Sequence, residues 1–249
     1  MPAAALLLAA LLPIAEIDAS WALRADLDRA QAHVAEVKRA AAAHPDASAL
    51  QWRLCRALFF LGEYALDPNR KDERKTVLRE AREAGERAVA LAKDDAERLP
   101  SHVWASYAWG QWALLEGKLA AVRQGAAARI RDHAAAAVRL DPLYDGAAGD
   151  RVLGRLHHQT PSVPFLTGWA SKQLALEHLR RSVELAPGSL VNRQYLGEAL
   201  WEIDRKRRAE AKAILEGVVA AIPDPRFLVE ERHAQAAARA FLHERVAQR

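Results

Sequence analysis

The chain has 249 residues, enough for one or two domains with a substantial core. Apolar residues make up 51% and charged residues 27%, which excludes a disordered chain, and a net charge of +4 permits an acidic partner without demanding one. The single cysteine, Cys55, excludes an intrachain disulfide and a thiolate metal cage, and its spacing from Phe59 marks it as a buried, inert thiol.

The N-terminus carries an apolar run from Ala3 to Leu12. It is too short to span a bilayer as a helix, which takes about 18 or more apolar residues. Its length suits the apolar region of an export signal, and cleavage after Ala19 or Ala22 would start the mature chain near Ser20 or Leu23. No Lys or Arg precedes Arg24, so the basic segment of such a signal is missing. Residues 1–22 are expected to be a signal peptide or a disordered terminus, with an ordinary first helix as the alternative.

A repeated pattern follows. "HVAEVKRAAAAHP" places His33, Val37 and Ala40 at spacings of four and three, with Pro45 five further on. "AREAGERAVALAK" repeats it from Ala81 to Ala88, with Lys93 in the place of the proline. Ile130, Ala134, Ala137 and Pro142 repeat it again, then Ala175, Leu179, Ser182 and Pro187, then Ala211, Leu215, Val218 and Pro223. Spacings of four and three put these residues on one helical face, and the proline stops the helix. A second kind of helix precedes four of them. Leu153-Gly154 with His157 aligns with Leu196-Gly197 and Leu200, and "WRLCRALF" and "WASYAWGQ" fit the same frame, with Arg56 and Ala108 in the glycine place. The small residue lets two helices approach closely.

This arrangement resembles the tetratricopeptide repeat, Trp-x-x-Leu-Gly-x-x-Tyr on one helix and Ala-x-x-x-Phe-x-x-Ala followed by proline on the next. The resemblance implies an all-α, right-handed superhelical solenoid: a half-repeat at 23–45, pairs at about 49–93, 101–142, 147–187 and 189–223, and a capping helix at 226–246, together one domain from 23 to 249. Insertions near 65–75, 117–127 and 160–168 lengthen the repeats, a feature of divergent bacterial members. "WRLCRALFFLGE", "LGRLHH" and "TPSVPFLTGW" are similar to segments of the T-component of TRAP transporters and of the regulator of microtubule dynamics group.

Motifs for chemistry are missing. The sequence holds no GxxxxGK[ST] loop, no GxSxG elbow, no GxGxxG turn and no HExxH pair. His157 and His158 are adjacent and point to different faces of a regular helix, so they cannot readily share a metal and are expected to finish the helix instead. The basic run from Asp204 to Lys212 falls between two helices and reads as a solvated turn rather than a nucleic-acid patch. The expectation is a non-enzymatic scaffold with no metal and no cofactor.

In the repeat family, the first helices line a concave groove at positions three before and one, four and five after the glycine. The resemblance therefore assigns Arg53 and Phe60 to the groove from the first pair, and Trp109 and Trp112 from the second. Arg151, Arg155 and His158 come from the third pair, and Gln194 and Trp201 from the fourth. Aromatic anchors beside an arginine pair suit an extended peptide or an acidic protein edge. The implied partner is a protein or peptide, with no nucleic acid, no transmembrane segment and oligomerisation possible. An exported chain would be a periplasmic adaptor for a solute-binding protein, whereas a cytoplasmic one would serve complex assembly. A small-ligand-binding accessory protein and an enzyme with an unrecognised site are the alternatives.

Overall fold

A computed structural model describes residues 13–161 and 167–246. Every regular element among them is helical, and no strand occurs among the described residues. The apolar run Ala3–Leu12 lies outside them.

A short helix α1 (Ile14–Trp21) leads into α2 (Leu27–Ala43), which Asp26 caps by accepting bonds from the Asp28 and Arg29 amides. Helix pairs then alternate down the chain. First helices are α3 (Ser48–Phe60), α5 (Asp95–Glu116), α8 (Tyr144–Gln159) and α10 (Leu190–Ile203). Second helices are α4 (Lys71–Leu91), α7 (Ala126–Leu140), α9 (Lys172–Leu185) and α11 (Arg208–Ala220). The short α6 (Lys118–Arg123) fills the second insertion, and α12 (Leu228–Phe241) ends the array. Each helix packs mainly on its sequence neighbours, as in a solenoid.

The faces read from the sequence are the faces that pack. Val37, Ala81, Ala88, Ala134, Ala175, Leu179, Ala211, Leu215 and Val218 are fully buried, and Ala40 alone of its helix's triplet is only partly covered. Close approaches at the Leu-Gly steps help to set the spacing between helices. A methyl group added at Gly154 would lie 2.5 Å from Leu179 Cγ, one at Gly197 2.7 Å from Leu215 Cγ, and one at Gly62 2.8 Å from Leu78 Cγ. Gly62 follows Leu61, so the Leu-Gly step of the first pair sits at 61–62, beyond the Arg56 that the sequence frame puts in the glycine place. Arg56 instead turns its guanidinium to Asp18 (2.9 Å) and over the Trp21 ring (4.3 Å). The backbone widens at this step, where the Leu66 amide reaches back to the Leu61 carbonyl (2.9 Å).

Helix α1 is part of the packing. Ile17 is fully buried, and the Asp18 carboxylate receives both Arg53 and Arg56 from α3. Burial would raise the Asp18 pKa, but the hydrogen bonds and charges of the two arginines outweigh it and hold it below the usual carboxylate value. Cleavage after Ala19 or Ala22 would remove this carboxylate and leave two largely buried guanidiniums without it. Among the described residues, no helix is long and apolar enough to cross a membrane.

Candidate functional site

The first helices surround a cavity of about 1020 Å³ on the concave side of the array. Its wall takes Phe59, Phe60, Glu63 and Tyr64 from α3 and the turn after it, and Ser106, Tyr107, Gly110, Gln111 and Leu114 from α5. Arg151, Val152, Arg155, Leu156 and Gln159 come from α8, and Val191, Gln194, Tyr195 and Glu198 from α10. The rim includes Leu114 and Val122, which are 61% and 52% exposed, so the mouth is apolar.

The terminal helix does more than cap the last pair. It packs on α10 and α11, and it also crosses to the start of the chain. Arg24 donates to Glu230 Oε1 (3.0 Å) and to the Arg226 carbonyl, and the Tyr64 ring meets His233 edge-on with centroids 5.4 Å apart. Phe227, Glu230, His233 and Ala234 therefore stand on the same cavity wall as Trp21 and Tyr64. The concave face is closed on one side by a contact between residues 206 apart in the chain.

A polar network organises the wall at α8. Asp145, Gly146 and Ala147 have φ of 49°, 66° and 61°, a left-handed turn in which the two non-glycine residues cost roughly 1–2 kcal/mol each. Arg151 holds this turn. Its guanidinium donates to the Gly146 carbonyl (3.1 Å), the Asp145 carbonyl (3.2 Å), the Asp145 carboxylate (3.1 Å) and Asn192 Oδ1 (2.9 Å), and it also contacts the Tyr107 hydroxyl. The Tyr107 hydroxyl donates to Asp145 (2.8 Å), and Asn192 Nδ2 donates to the Gly146 carbonyl (2.9 Å). Arg155 donates to Glu198 (2.7 Å), which also accepts from Gln194 (2.5 Å), and its guanidinium lies 4.5 Å from the Tyr195 ring centre. Burial pushes the Tyr107 and Tyr195 phenols above their ordinary pKa, so both are neutral hydroxyls on the wall.

Of the residues the sequence assigns to the groove, Phe60, Arg151, Arg155 and Gln194 line the cavity. The other five take part in packing. Arg53 grips Asp18 with Nε at 2.9 Å and lies over the Trp52 ring at 4.0 Å. Trp109 and Trp112 turn away from the cavity. The Arg82 guanidinium covers both rings at 4.5 and 4.2 Å, and Trp109 Nε1 donates to Glu86 (2.7 Å), so they fill the seam between α4 and α5. His158 is buried against Glu202 (2.9 Å), and Trp201 lies under Arg208 (4.9 Å). His157 accepts from the Ser171 amide (3.2 Å) and stacks on His178, which fits a histidine that packs at a helix end. Among the described residues, no group of three His, Cys, Asp or Glu side chains could hold a metal.

The sequence reading missed four contributors: the Asp145–Ala147 turn, Tyr107 with Tyr195, Glu63 with Tyr64, and the terminal helix as a wall. Two of them had local signals. Asp145-Gly146 is a turn dipeptide, and Leu61-Gly62 repeats the Leu-Gly of the later pairs.

Comparison with known proteins agrees with this architecture. A thermophilic TPR protein from Thermus thermophilus superposes with a TM-score of 0.60 at 19% identity, over 90% of this chain and 97% of that one, which shows the fold. No curated protein matches the chain. The model of the regulator of microtubule dynamics protein 1-3 family matches residues 14–243, beginning at α1 and ending just past α12. A match over that span shows the family: the chain belongs to the regulator of microtubule dynamics protein 1-3 family.

Proposed function

We propose that the protein is a non-enzymatic scaffold that seats a segment of a partner protein in its concave cavity. One observation carries this reading: a cavity of about 1020 Å³, walled by the first helix of every pair and closed by the terminal helix, with an apolar rim and with rings, hydroxyls, amides and ion-paired side chains inside. Rings and partly satisfied polar groups in one concavity are what recognition sites use. On the described part of the wall, Arg151 and Arg155 are engaged in holding the backbone and Glu198. Side chains held in internal pairs around an apolar mouth suit the seating of a guest.

Gly110 provides the test. It lies on the cavity wall, and a Cβ there would meet nothing within 4 Å, so Gly110→Leu puts a bulky side chain at this wall with room for its first carbon. Affinity capture from the native host, with partners identified by mass, should yield a protein that the wild type retains and Gly110→Leu loses. Identical capture by both would sink the reading.

The finer alternative, a periplasmic adaptor for a solute-binding protein, rests on the sequence resemblance and on cleavage near Ser20 or Leu23. The packing of Ile17, Asp18 and Trp21 favours retention of α1, and with it a chain that is not cut there. N-terminal sequencing of protein from the host decides it: a start at Ser20 or Leu23 would restore the adaptor reading.

A further inference from the structure

The histidine pair that ends α8 stands where part of the cavity rim is fastened. Leu156, Gln159, Thr160 and Pro161 carry the cavity wall to the end of α8, and Thr167 takes it up again before α9. Thr167 Oγ1 donates to the Pro161 carbonyl (2.5 Å), which holds the two ends of the insertion together. Past Thr167 the chain is tied to α8 by three contacts. The Ser171 amide donates to His157 Nδ1 (3.2 Å), the Trp169 ring meets the His157 ring edge-on with centroids 5.3 Å apart, and Lys172 Nζ donates to the His158 carbonyl. Ser171 also caps α9, its hydroxyl accepting from the Leu174 amide (3.3 Å). Two of the three contacts therefore rest on one buried imidazole.

The Ser171 bond fixes the state of that ring. A backbone N–H can only donate, so His157 Nδ1 carries a lone pair and the imidazole is neutral. A proton on Nδ1 would set one N–H against another and leave the Ser171 amide without its acceptor. The surroundings oppose such a cation. From α9, His178 stacks on the ring at 6.0 Å and nearly parallel (8°). Its Nδ1 is held by Asp150 of α8 (2.7 Å), which Arg181 also meets (3.4 Å), so that carboxylate is spent on His178 and Arg181. From α7, Arg131 lies over Trp169 (4.9 Å), and from α10, Glu202 bonds His158 instead (2.9 Å). Among the described residues, no carboxylate bonds His157. Burial, then the charges of His178 and Arg131, hold its pKa below the ordinary value of 6.5.

We infer that His157 is a proton-operated fastener of the cavity rim: one proton on Nδ1 releases the Ser171 amide from the end of α8 and leaves Lys172 as the remaining tie. The inference goes beyond the seating of a segment and holds whatever the cavity receives. Because the folded pKa lies below 6.5, the tie is whole above pH 6.5 and is lost as pH falls through the folded value.

The test follows two atoms of the full, nitrogen-15-labelled chain by NMR as pH is lowered from about 7.5 to about 4.5. Ring nitrogen shifts report the protonation of His157, and hydrogen exchange, corrected for its intrinsic pH dependence, reports the Ser171 amide. Ser171 protection should fall about tenfold, with the midpoint of the ring and below pH 6.5, while the amide of the fully buried Leu58 stays protected. His157→Gln, which cannot ionise, should flatten the Ser171 profile, and if that variant does not fold, the agreement of the two wild-type midpoints decides. Ser171 protection that survives protonation of the ring would overturn the inference. So would an unaltered profile in a folded His157→Gln, or a ring that stays neutral until Leu58 protection is also lost.

Discussion

The two halves of the array follow the same repeat but obey its frame differently. In α8 and α10 the Leu-Gly step is in register, Gly154 against Leu179 and Gly197 against Leu215. There the positions three before and one after the glycine, Arg151 with Arg155 and Gln194 with Glu198, do line the cavity. In α3 and α5 the frame rests on tryptophans, and it slips. The close approach of α3 is at Gly62, and α5 presents Ser106, Tyr107, Gly110, Gln111 and Leu114 inward rather than Trp109 and Trp112. A shift of one residue turns a helical side chain by about 100°, enough to move a ring from cavity to seam. The small residue fixes the register because only its lack of bulk permits the helix approach. A large aromatic can be buried on either side.

The same contrast sets how much is legible in the sequence. The all-helical array, its alternating faces and its proline stops can be read because apolar periodicity and backbone rules are local. Arg151 and Arg155 fall on the correct wall, but their partners are not foreseeable, since Asn192 and Glu198 lie on the next first helix. Closure by α12 cannot be read at all. Arg24 and Glu230 meet only because the curvature accumulated over the whole array brings its ends together.

The contrast between the halves can be broken most severely at Trp112. It is 2% exposed beneath Arg82, so Trp112→Ala should destabilise the fold by about 3–5 kcal/mol in denaturant melts. A loss under about 1 kcal/mol would return the ring to the cavity side. Glu63 probes the same half through pH. Its folded pKa of about 7 lies above the ordinary value of 4.5, so the stability it contributes is full below about pH 4.5 and is lost as pH rises through 7. Glu63→Gln, which cannot ionise, should therefore melt progressively higher than the wild type as pH is raised from about 5 to about 8. A constant difference would mean the carboxylate is ionised in the folded protein throughout.

In the other half, Gly154→Ala should cost about 1–3 kcal/mol, because Leu179 Cγ and the Leu179 amide both obstruct the new methyl. No loss on melting would mean the helices are not held by that approach. Gly110→Ala should move stability the other way, gaining about 0.5–1 kcal/mol from helix propensity at a place where the methyl meets nothing. A loss there would show that the wall is already filled.

The central claim is that a partner occupies the wall where Gly110 stands, and thiol labelling tests it most directly. The native Cys55 is fully buried, and burial raises its thiol pKa, so it stays silent toward a maleimide. Gly110→Cys supplies a reporter on the cavity surface. The account predicts rapid labelling of the free protein and at least about tenfold slower labelling once the captured partner is bound. An unchanged rate in the saturated complex would contradict it, placing the partner on another surface of the array.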